Sequence, residues 1–302
     1  MRPKHKSPNR AGASVYLMLL PSMLLLAVTS IYPFVWIFRY IFYDYNGYTA
    51  YYVGFDNFTR AFTNDPIFWL SVLHTVEYSF WKILIIIPLS LIVAVMLMKK
   101  IRGSNFFQTL FFVPTVISAA VYSLIFYFIF TPYNGILNAM LKAIGMKGST
   151  DWLGNPLYTM FSIVVVAIWG GFGNYMTLFM AGLSNVPQDV YESSKIDGAN
   201  QVQDFFYITL PMLAPYLKVV LMLAITTALS DYESIMVLTN GGPNNRSEVM
   251  FLYIYQLMFG SGNMTFQKQI GYGSLLGVIS SLIIGVITII FLRVSKKLDD
   301  VY

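Results

Sequence analysis

Ionisable side chains within long apolar segments are the residues of this chain that could do chemistry. Asp231 and Glu233 lie near the end of one such segment, among several residues that carry hydroxyl groups. Charge is costly inside a membrane, so each intramembrane ionisable residue is a functional candidate. A carboxylate pair could serve acid–base catalysis, but residues two apart on a helix diverge by about 200°. Direct cooperation of these carboxylates in an enzyme is therefore disfavoured.

Other catalytic and metal-binding patterns are missing from the sequence. It has no Cys, no H-E-x-x-H and no G-x-S-x-G, which excludes a thiol nucleophile and the common zinc-protease and hydrolase motifs. His74 has no second ligand at a suitable spacing, so we expect no metal site. No Gly-Lys dipeptide occurs, which rules out a G-x-x-x-x-G-K-S/T phosphate loop. We therefore expect a protein that is not an enzyme and carries no cofactor.

The composition indicates a membrane protein. Hydrophobic residues make up 57% of the 302 positions and charged residues only 11%, against about 25% charged residues in soluble domains. A spanning helix needs about 20 mostly apolar residues. We predict transmembrane helices over residues 14–38, 69–98, 106–130, 156–183, 217–238 and 270–292. The first is too long for a signal-peptide core and lacks a cleavage site, so we expect it to be retained.

The distribution of Lys and Arg predicts the orientation of these helices, because cytoplasmic connections are enriched in both residues. One set of connections and both termini hold Arg2, Lys4, Lys6, Arg10, Lys99, Lys100, Arg102, Lys195, Lys218, Arg293, Lys296 and Lys297. The other connections hold only Arg60, Lys142, Lys147, Arg246 and Lys268. Both termini are therefore predicted to be cytoplasmic, with tails at residues 1–13 and 294–302. The first extracytoplasmic loop would extend to residue 68.

A polar segment, residues 184–215, separates the fourth and fifth predicted spans on the cytoplasmic side. Pro187 and Asp189 suit the first turn of a short amphipathic helix. Gly198 can adopt a positive φ and end that helix, and a second amphipathic piece follows over residues 202–208. The pattern predicts a helix–Gly turn–helix hairpin at the inner face. Closing the helical bundle would be its simplest role.

The sequence of this hairpin resembles the cytoplasmic EAA loop of ATP-binding-cassette importer permeases. The family pattern is roughly E-A-A-x-x-x-G, nine residues, then I-x-L-P. Here Glu192-Ser193-Ser194 keeps the two central residues small, Asp197-Gly198-Ala199 follows, and Ile208-Thr209-Leu210-Pro211 stands at the family spacing. The resemblance implies a coupling helix that sits in a cleft of a separate ATPase subunit. It assigns this role to Glu192, Ser193, Ser194, Asp197, Gly198, Ala199, Ile208, Leu210 and Pro211.

A second resemblance narrows the family to its carbohydrate-importing branch, of the maltose and glycerol-phosphate type. Leu238-Thr239-Asn240-Gly241-Gly242-Pro243 is similar to the L-T-x-G-G-P of that branch. Pro114, which opens the third span, and Trp169-Gly170-Gly171 in the fourth also fit. Together the similarities cover about residues 14–298. They imply an all-α, polytopic, six-helix type-I importer permease (MetI-like) fold, whose core is residues 69–293 and whose first helix wraps a partner subunit.

The resemblance also implies the partners. A second permease, usually a different one, would pair with this chain, and two ATPase subunits would bind ATP and Mg²⁺. An extracytoplasmic solute-binding protein would deliver the sugar or oligosaccharide. The assembly would lie in the cytoplasmic membrane of a prokaryote and change no bond in the substrate. The sequence identifies neither the sugar nor its chain length.

A sugar site needs polar groups and aromatic faces in a mostly apolar cavity, and in the resembling family the fifth span lines it. The candidate contacts are Thr115, Ser118, Trp169, Gly171, Asn174, Thr227, Ser230, Asp231 and Tyr232. On one continuous fifth helix, Asp231 would lie about 21 Å from Leu217, in the outer part of the membrane. The alternatives are helix packing and an outer vestibule.

Three further features are left open by the sequence. Glu77 and Lys82 interrupt the second span about 140° apart around a helix, so each is expected to find a partner on another helix, or Lys82 to extend its ammonium toward the membrane interface. Gly273, Gly277, Ser281 and Gly285 recur every four residues in the sixth span, which predicts a packing seam, either within the bundle, the preferred interpretation, or against a second permease. An osmolyte or a glycerol-linked phosphate is the alternative substrate. A phosphate ester would require a basic cavity, and only Lys82 lies deep enough, so a neutral sugar is preferred.

Overall fold

The computed structural model describes residues 8–99, 102–260 and 267–298. Parts of both predicted tails lie outside the described residues, as do Arg2, Lys4, Lys6 and Lys100 of the orientation argument. The chain divides into two compact units. We call Met1–Asn64 with Gln256–Gly277 the terminal unit, and Asp65–Tyr255 with Val278–Tyr302 the core unit.

The terminal unit begins with a long, apolar helical segment and continues into a small β-hairpin. Its elements are α1 (Pro8–Leu26), a π-helical turn (Ala27–Ile31), α2 (Tyr32–Tyr40), β1 (Tyr43–Tyr45), β2 (Ala50–Tyr52), α3 (Asp56–Thr59) and a second π-helical turn (Arg60–Asn64). The stretch Ser14–Tyr40 is long and apolar enough to span a membrane. This confirms the first predicted helix.

The β-hairpin lies in the loop after this first span. β1 pairs antiparallel with β2, and Tyr43 faces Tyr52. The turn between them contains Gly47 with φ +99°, and the side chain of Asn46 accepts hydrogen bonds from the backbone N–H groups of Tyr48 and Thr49. Asn-Gly is a favourable turn sequence between strands. The sequence analysis anticipated only turn-rich loops here, and the strands were not predicted.

The core unit is a bundle of helices. Its elements are α4 (Pro66–Met98), α5 (Ser104–Val116), α6 (Ala119–Phe130), α7 (Ile136–Ala143), α8 (Pro156–Leu183), α9 (Gln188–Ile196), α10 (Gln201–Gln203), a π-helical turn (Asp204–Thr209), α11 (Leu210–Met212), α12 (Ala214–Leu229), α13 (Glu233–Leu238) and a 3₁₀ turn (Ser295–Leu298). Two further helices, α14 (Met250–Phe259) and α15 (Ile270–Val294), each carry residues of both units.

The helices α4 and α8 form the centre of the core unit, and each begins with a side-chain N-cap followed by a proline. Asp65 accepts a hydrogen bond from the N–H of Phe68, and Asn155 accepts one from the N–H of Leu157. A proline follows each cap, where its missing N–H costs nothing. The largest fully buried side chains of these two helices are Tyr78, Phe68, Phe179, Ile86, Ile163 and Met176.

Glycines allow close approach of neighbouring helices to α8. A Cβ added at Gly173 would lie 2.4 Å from the carbonyl oxygen of Phe111 on α5. A Cβ at Gly170 would lie 2.5 Å from the ring of Tyr122 on α6. By contrast, a Cβ at Gly277 or Gly285 of α15 would meet no heavy atom within 4 Å. An internal seam is therefore not observed at these two positions, and packing of α15 against a second permease stays a prediction.

The third predicted span is not one continuous helix. α5 and α6 meet at an angle of 98°, and Ile117 and Ser118 between them have extended backbone conformations. Pro114 does not open the span but lies in the last turn of α5. It has no N–H to donate to the carbonyl of Leu110, so the helix is weakened there and ends two residues later.

The fifth predicted span is also interrupted. α12 ends at Leu229 and α13 begins at Glu233, so Asp231 lies in a non-helical break rather than on a continuous helix. At its other end, α12 makes an angle of 71° with the segment Gln201–Met212. Four helices of the described residues can span a membrane by themselves, and six spans result if each bent pair counts as one. On that count the six-span fold is confirmed.

Candidate functional site

A cavity of about 470 Å³ lies between four helices of the core unit. Its lining residues are Lys82 from α4, Phe112 from α5, Gly171, Asn174, Tyr175, Thr177 and Leu178 from α8, and Leu223 and Thr227 from α12. The hydroxyl groups of Tyr175 and Thr227 lie 2.9 Å apart and join α8 to α12. This volume falls in the range of small-molecule sites, and the lining mixes apolar surface with a few polar groups.

Three of the nine predicted sugar contacts line this cavity, namely Gly171, Asn174 and Thr227. Tyr175 and Leu178 were not predicted, although the spacing on α8 contains the signal. Positions 171, 174, 175 and 178 follow the i, i+3, i+4, i+7 pattern of one helix face. Gly171 and Asn174 therefore imply that Tyr175 and Leu178 share their wall.

The other predicted contacts lie outside the lining of this cavity. Trp169 packs edge-on against the rings of Tyr122 and Phe126, with ring centroids 6.1 and 5.3 Å away. Thr115 donates a hydrogen bond to the carbonyl of Phe112 and lies beside Gly173 at the crossing of α5 and α8. These positions show the helix packing that was the alternative role for Trp169 and Thr115.

The remaining four of these contacts, Ser118, Ser230, Asp231 and Tyr232, stand at helix breaks. Ser118 precedes α6 and Ser230 follows α12, and both are exposed. Tyr232 precedes α13, and its ring stacks on that of Tyr255 at 5.6 Å. Helix ends leave backbone groups unsatisfied, which explains why polar residues occur at these breaks.

Asp231 belongs to a buried charge network. Its Oδ2 accepts hydrogen bonds from the hydroxyl of Tyr78 and from Nζ of Lys82, the latter at 2.7 Å. Its Oδ1 accepts from the hydroxyl of Ser234 at 3.3 Å. Lys82 also donates to the Tyr78 oxygen at 3.2 Å. The network ties the break between α12 and α13 to α4, and removing one partner of such a pair typically costs about 3–5 kcal/mol.

Glu77 also finds its partner on another element. Both of its carboxylate oxygens accept from the guanidinium of Arg246, at 2.7 and 2.8 Å. Both side chains are about one-third exposed. Glu77 and Lys82 thus each find a partner away from their own helix, but both partners, Arg246 and Asp231, lie in non-helical segments and not on another helix as predicted. Neither Glu77 nor Arg246 lines the cavity.

The L-T-x-G-G-P segment forms a compact loop that closes on itself. The hydroxyls of Thr239 and Ser247 lie 2.7 Å apart across it. Gly241 has φ +87°, and a Cβ there would overlap the carboxylate of Glu248. That carboxylate is buried, and its Oε1 has no hydrogen-bond partner within the described part of the chain. Desolvation raises the pKa of Glu248 from 4.5 to about 7.

The predicted cytoplasmic hairpin is present. α9 begins after Pro187 and ends before Gly198, which has φ +81°, as the helix-stop prediction requires. Asn200 then starts the second arm with a reciprocal capping box that includes Gln203. The hydroxyl of Ser194 donates to Asp204 at 2.7 Å. The two arms are thus held together by side-chain hydrogen bonds as well as by the turn.

The residues of the hairpin that resemble the EAA loop divide into two groups. Ser194 is buried against the second arm, and Leu210 packs on the core cluster. Ala199, Ile208 and Pro211 are half-buried. The exposed members are Glu192, Ser193, Asp197 and Gly198. The apolar side chain of Ile196 beside them is 86% exposed, so this tip presents both charge and apolar surface.

Comparisons with known proteins agree with this geometry. The family model described as "Binding-protein-dependent transport system inner membrane component" matches residues 86–298. The arabinooligosaccharides transport system permease protein AraP of Bacillus subtilis is 32% identical over 286 residues, which cover 94% of this chain and 88% of AraP. The multiple sugar-binding transport system permease protein MsmF of Streptococcus mutans is 32% identical over 268 residues, 87% of this chain and 89% of MsmF.

A solved structure shows the same fold. It is that of a bacterial ABC transporter involved in the import of the acidic polysaccharide alginate, and the matched chain superposes with a TM-score of 0.82. The match covers 95% of this chain and 96% of that chain at 22% sequence identity. At this identity the likeness concerns the fold alone.

Proposed function

Because this chain belongs to the family of binding-protein-dependent transport system inner membrane components, we propose that it carries a sugar or oligosaccharide across the cytoplasmic membrane of a prokaryote. It is a multi-pass transport permease. The observation that carries the proposal is the family match over residues 86–298, which includes the hairpin and eight of the nine residues that line the cavity. The names of AraP and MsmF support a saccharide as the cargo.

The hairpin is proposed as the contact with one ATPase subunit of the importer, whose two ATPase subunits would bind ATP and Mg²⁺. This proposal is supported by the exposed tip at Glu192, Ser193 and Gly198, together with the resemblance to the EAA loop. A second permease subunit and an extracytoplasmic solute-binding protein would complete the importer. The name of the family itself includes dependence on a binding protein.

The cavity is proposed as the sugar site. Asn174 and Thr227 would exchange hydrogen bonds with sugar hydroxyls, and the rings of Phe112 and Tyr175 would cover C–H faces. Gly171 leaves room for the substrate beside them. The predominantly apolar lining is suited to an uncharged ligand, because buried charge requires a specific partner.

Uptake measurements in the source cell test the sugar assignment. The gene would be deleted and restored, and uptake of radiolabelled arabinotriose, maltotriose, lactose, glycerol-3-phosphate and glycine betaine would be measured. We expect loss of at least one sugar in the deletion strain and its recovery in the complemented strain. Loss of only glycerol-3-phosphate or glycine betaine would instead establish the alternative cargo.

The absence of Cys from the sequence permits a sharp test of the hairpin. Ser193→Cys should react with a membrane-impermeant maleimide only in inside-out vesicles and should crosslink to an ATPase subunit. Gly145→Cys, in the loop after α7, serves as the matched control and should react only from the outside. Labelling of Ser193→Cys from the outside, in spheroplasts whose cytoplasmic membrane is intact, would reject the coupling role.

A further inference from the structure

The cavity wall contains one residue with a formal charge, Lys82. Its side chain is only 10% exposed, so the ammonium has lost most of its contact with water. The other lining residues are polar but neutral, or apolar. Whatever occupies the cavity is therefore selected in part by the electrostatic state of Lys82.

That state is set by Asp231, which does not itself line the cavity. The ammonium lies 2.7 Å from Asp231 Oδ2 and 3.2 Å from the hydroxyl oxygen of Tyr78. A lysine ammonium has three N–H donors. Two are used by these contacts, and the third has no acceptor among the residues that the structure describes.

We propose that Lys82 donates its third N–H to a sugar hydroxyl, and that its pairing with Asp231 makes the cavity selective for uncharged sugars over sugar acids. This inference rests on the proposed function, since it concerns the specificity of the same cavity. It gives Lys82 the role of a substrate contact and gives Asp231, through Lys82, that of a positioning and charge-neutralising residue.

The physical reason lies in the difference between an ammonium alone and an ammonium paired at hydrogen-bond distance. An unpaired ammonium in a cavity of low polarity attracts a carboxylate strongly, because the charges are poorly screened. Asp231 Oδ2 lies 2.7 Å from the ammonium, so the positive charge that a sugar acid would meet in the cavity is already largely offset. The carboxylate of the acid would lose its hydration without gaining a partner. A neutral hydroxyl needs only a donor, and the third N–H supplies one.

Three variants separate the contributions to this selectivity. Asp231→Asn leaves Lys82 charged and unpaired. The double variant Lys82→Gln/Asp231→Asn keeps the site neutral but replaces the ammonium by an amide. The matched control is Glu77→Gln/Arg246→Gln, which removes an ion pair from the same helix α4 without touching the cavity.

The measurement is direct binding to the purified transporter complex in lipid nanodiscs, without the binding protein. The probes are arabinotriose, maltotriose and lactose, each also as the uronate in which one primary alcohol is oxidised to a carboxylate. The wild type should bind its neutral sugar at least tenfold more tightly than the corresponding uronate. Asp231→Asn should shift that ratio at least tenfold toward the uronate.

The double variant should restore the preference for the neutral sugar but bind it about tenfold more weakly, because a charge-assisted hydrogen bond is lost. The control should keep the wild-type ratio. Size-exclusion profiles establish that each complex is assembled, and the neutral double variant keeps the test valid if Asp231→Asn does not assemble.

Two results would overturn this inference and leave the proposed function standing. One is an assembled Asp231→Asn complex with the wild-type ratio, and the other is a double variant that binds neutral sugar as tightly as the wild type does. A wild-type complex that binds no saccharide of the panel would instead reject the proposed function. The two failures are therefore distinguishable.

Discussion

Gly198 offers a quantitative test of the hairpin as a coupling device. Its backbone has φ +81°, and a Cβ there would meet no atom within 4 Å. Replacement by Val therefore adds backbone strain but no steric clash. An L-residue in the left-handed region costs about 1–2 kcal/mol, and a β-branched residue is among the least tolerant of it. A cost of that size lowers the equilibrium constant for forming the native turn by about 5- to 30-fold, and the population of that turn falls by up to the same factor.

If transport requires the native turn, uptake of the transported sugar should fall by a similar factor in Gly198→Val. Asn tolerates the left-handed region better, so Gly198→Asn should lose much less activity. Gly145 provides the matched control, because it has φ +96° and also no neighbour within 4 Å of an added Cβ. Gly145→Val carries the same strain in the loop after α7 and should transport normally.

The assay is initial-rate uptake normalised to the amount of chain in the membrane by immunoblotting. Equal losses in Gly198→Val and Gly145→Val would mean that backbone strain acts through general stability. Unchanged uptake in Gly198→Val at normal membrane levels would refute the requirement for this turn.

Three further predictions concern packing and charge in the core unit. Ser194→Ala removes the hydrogen bond between the hairpin arms and should lower the stability of the hairpin by about 1 kcal/mol. The loss should be seen as faster proteolysis of the hairpin in inside-out vesicles, whereas Ser193→Ala should leave the rate of proteolysis unchanged. The carboxyl of Glu248 has its pKa raised by burial from 4.5 to about 7, so the folded state holds its proton more tightly and stability should decrease as pH rises from 4.5 to 7. The melting temperature of the detergent-purified chain should accordingly be lower at pH 8 than at pH 5, and this difference should shrink in Glu248→Gln. Gly173→Ala places a methyl group 2.4 Å from a backbone oxygen of α5 and should destabilise the bundle by about 1–3 kcal/mol, seen as a lower melting temperature, whereas Gly285→Ala, with open space around it, should not.

The sequence was sufficient to predict features that depend on local composition. The bounds of α8 and most of α4 follow from apolar length, and the positive φ of Gly198 follows from the position of a glycine after a short amphipathic helix. The same reasoning missed the bend between α5 and α6. Pro114 indicates a weak point in a helix, but the 98° angle between α5 and α6 is a property of the folded bundle, which a hydropathy pattern does not contain.

The helix break at Asp231 could not be predicted from the sequence, for a different reason. Its partner Lys82 is 149 positions away in the chain, and neither residue carries a local signal of the other. In isolation, each charge disrupts an apolar segment, and only the folded bundle shows that they neutralise one another. The candidates Ser230, Asp231 and Tyr232 were consequently placed on a continuous helix, whereas they lie in a break. Seven of the nine residues that line the cavity lie on α8 and α12.

The connectivity of the hairpin explains how a movement at its tip could reach the cavity. Its first arm follows directly from α8, and its second arm leads through α11 into α12. These two helices supply seven of the nine residues that line the cavity. Their ends next to the hairpin are packed closely, since a Cβ at Gly182 would lie 2.9 Å from the ring of Tyr216 and 3.0 Å from Leu213. A displacement of the hairpin must therefore move both helices together, whereas the Lys82–Asp231 pair holds the far end of α12 to α4. With the coupling role proposed for the hairpin, the cavity lies between the end of the helices that moves and the end that is tethered, and a shift of the hairpin then changes the shape of the cavity.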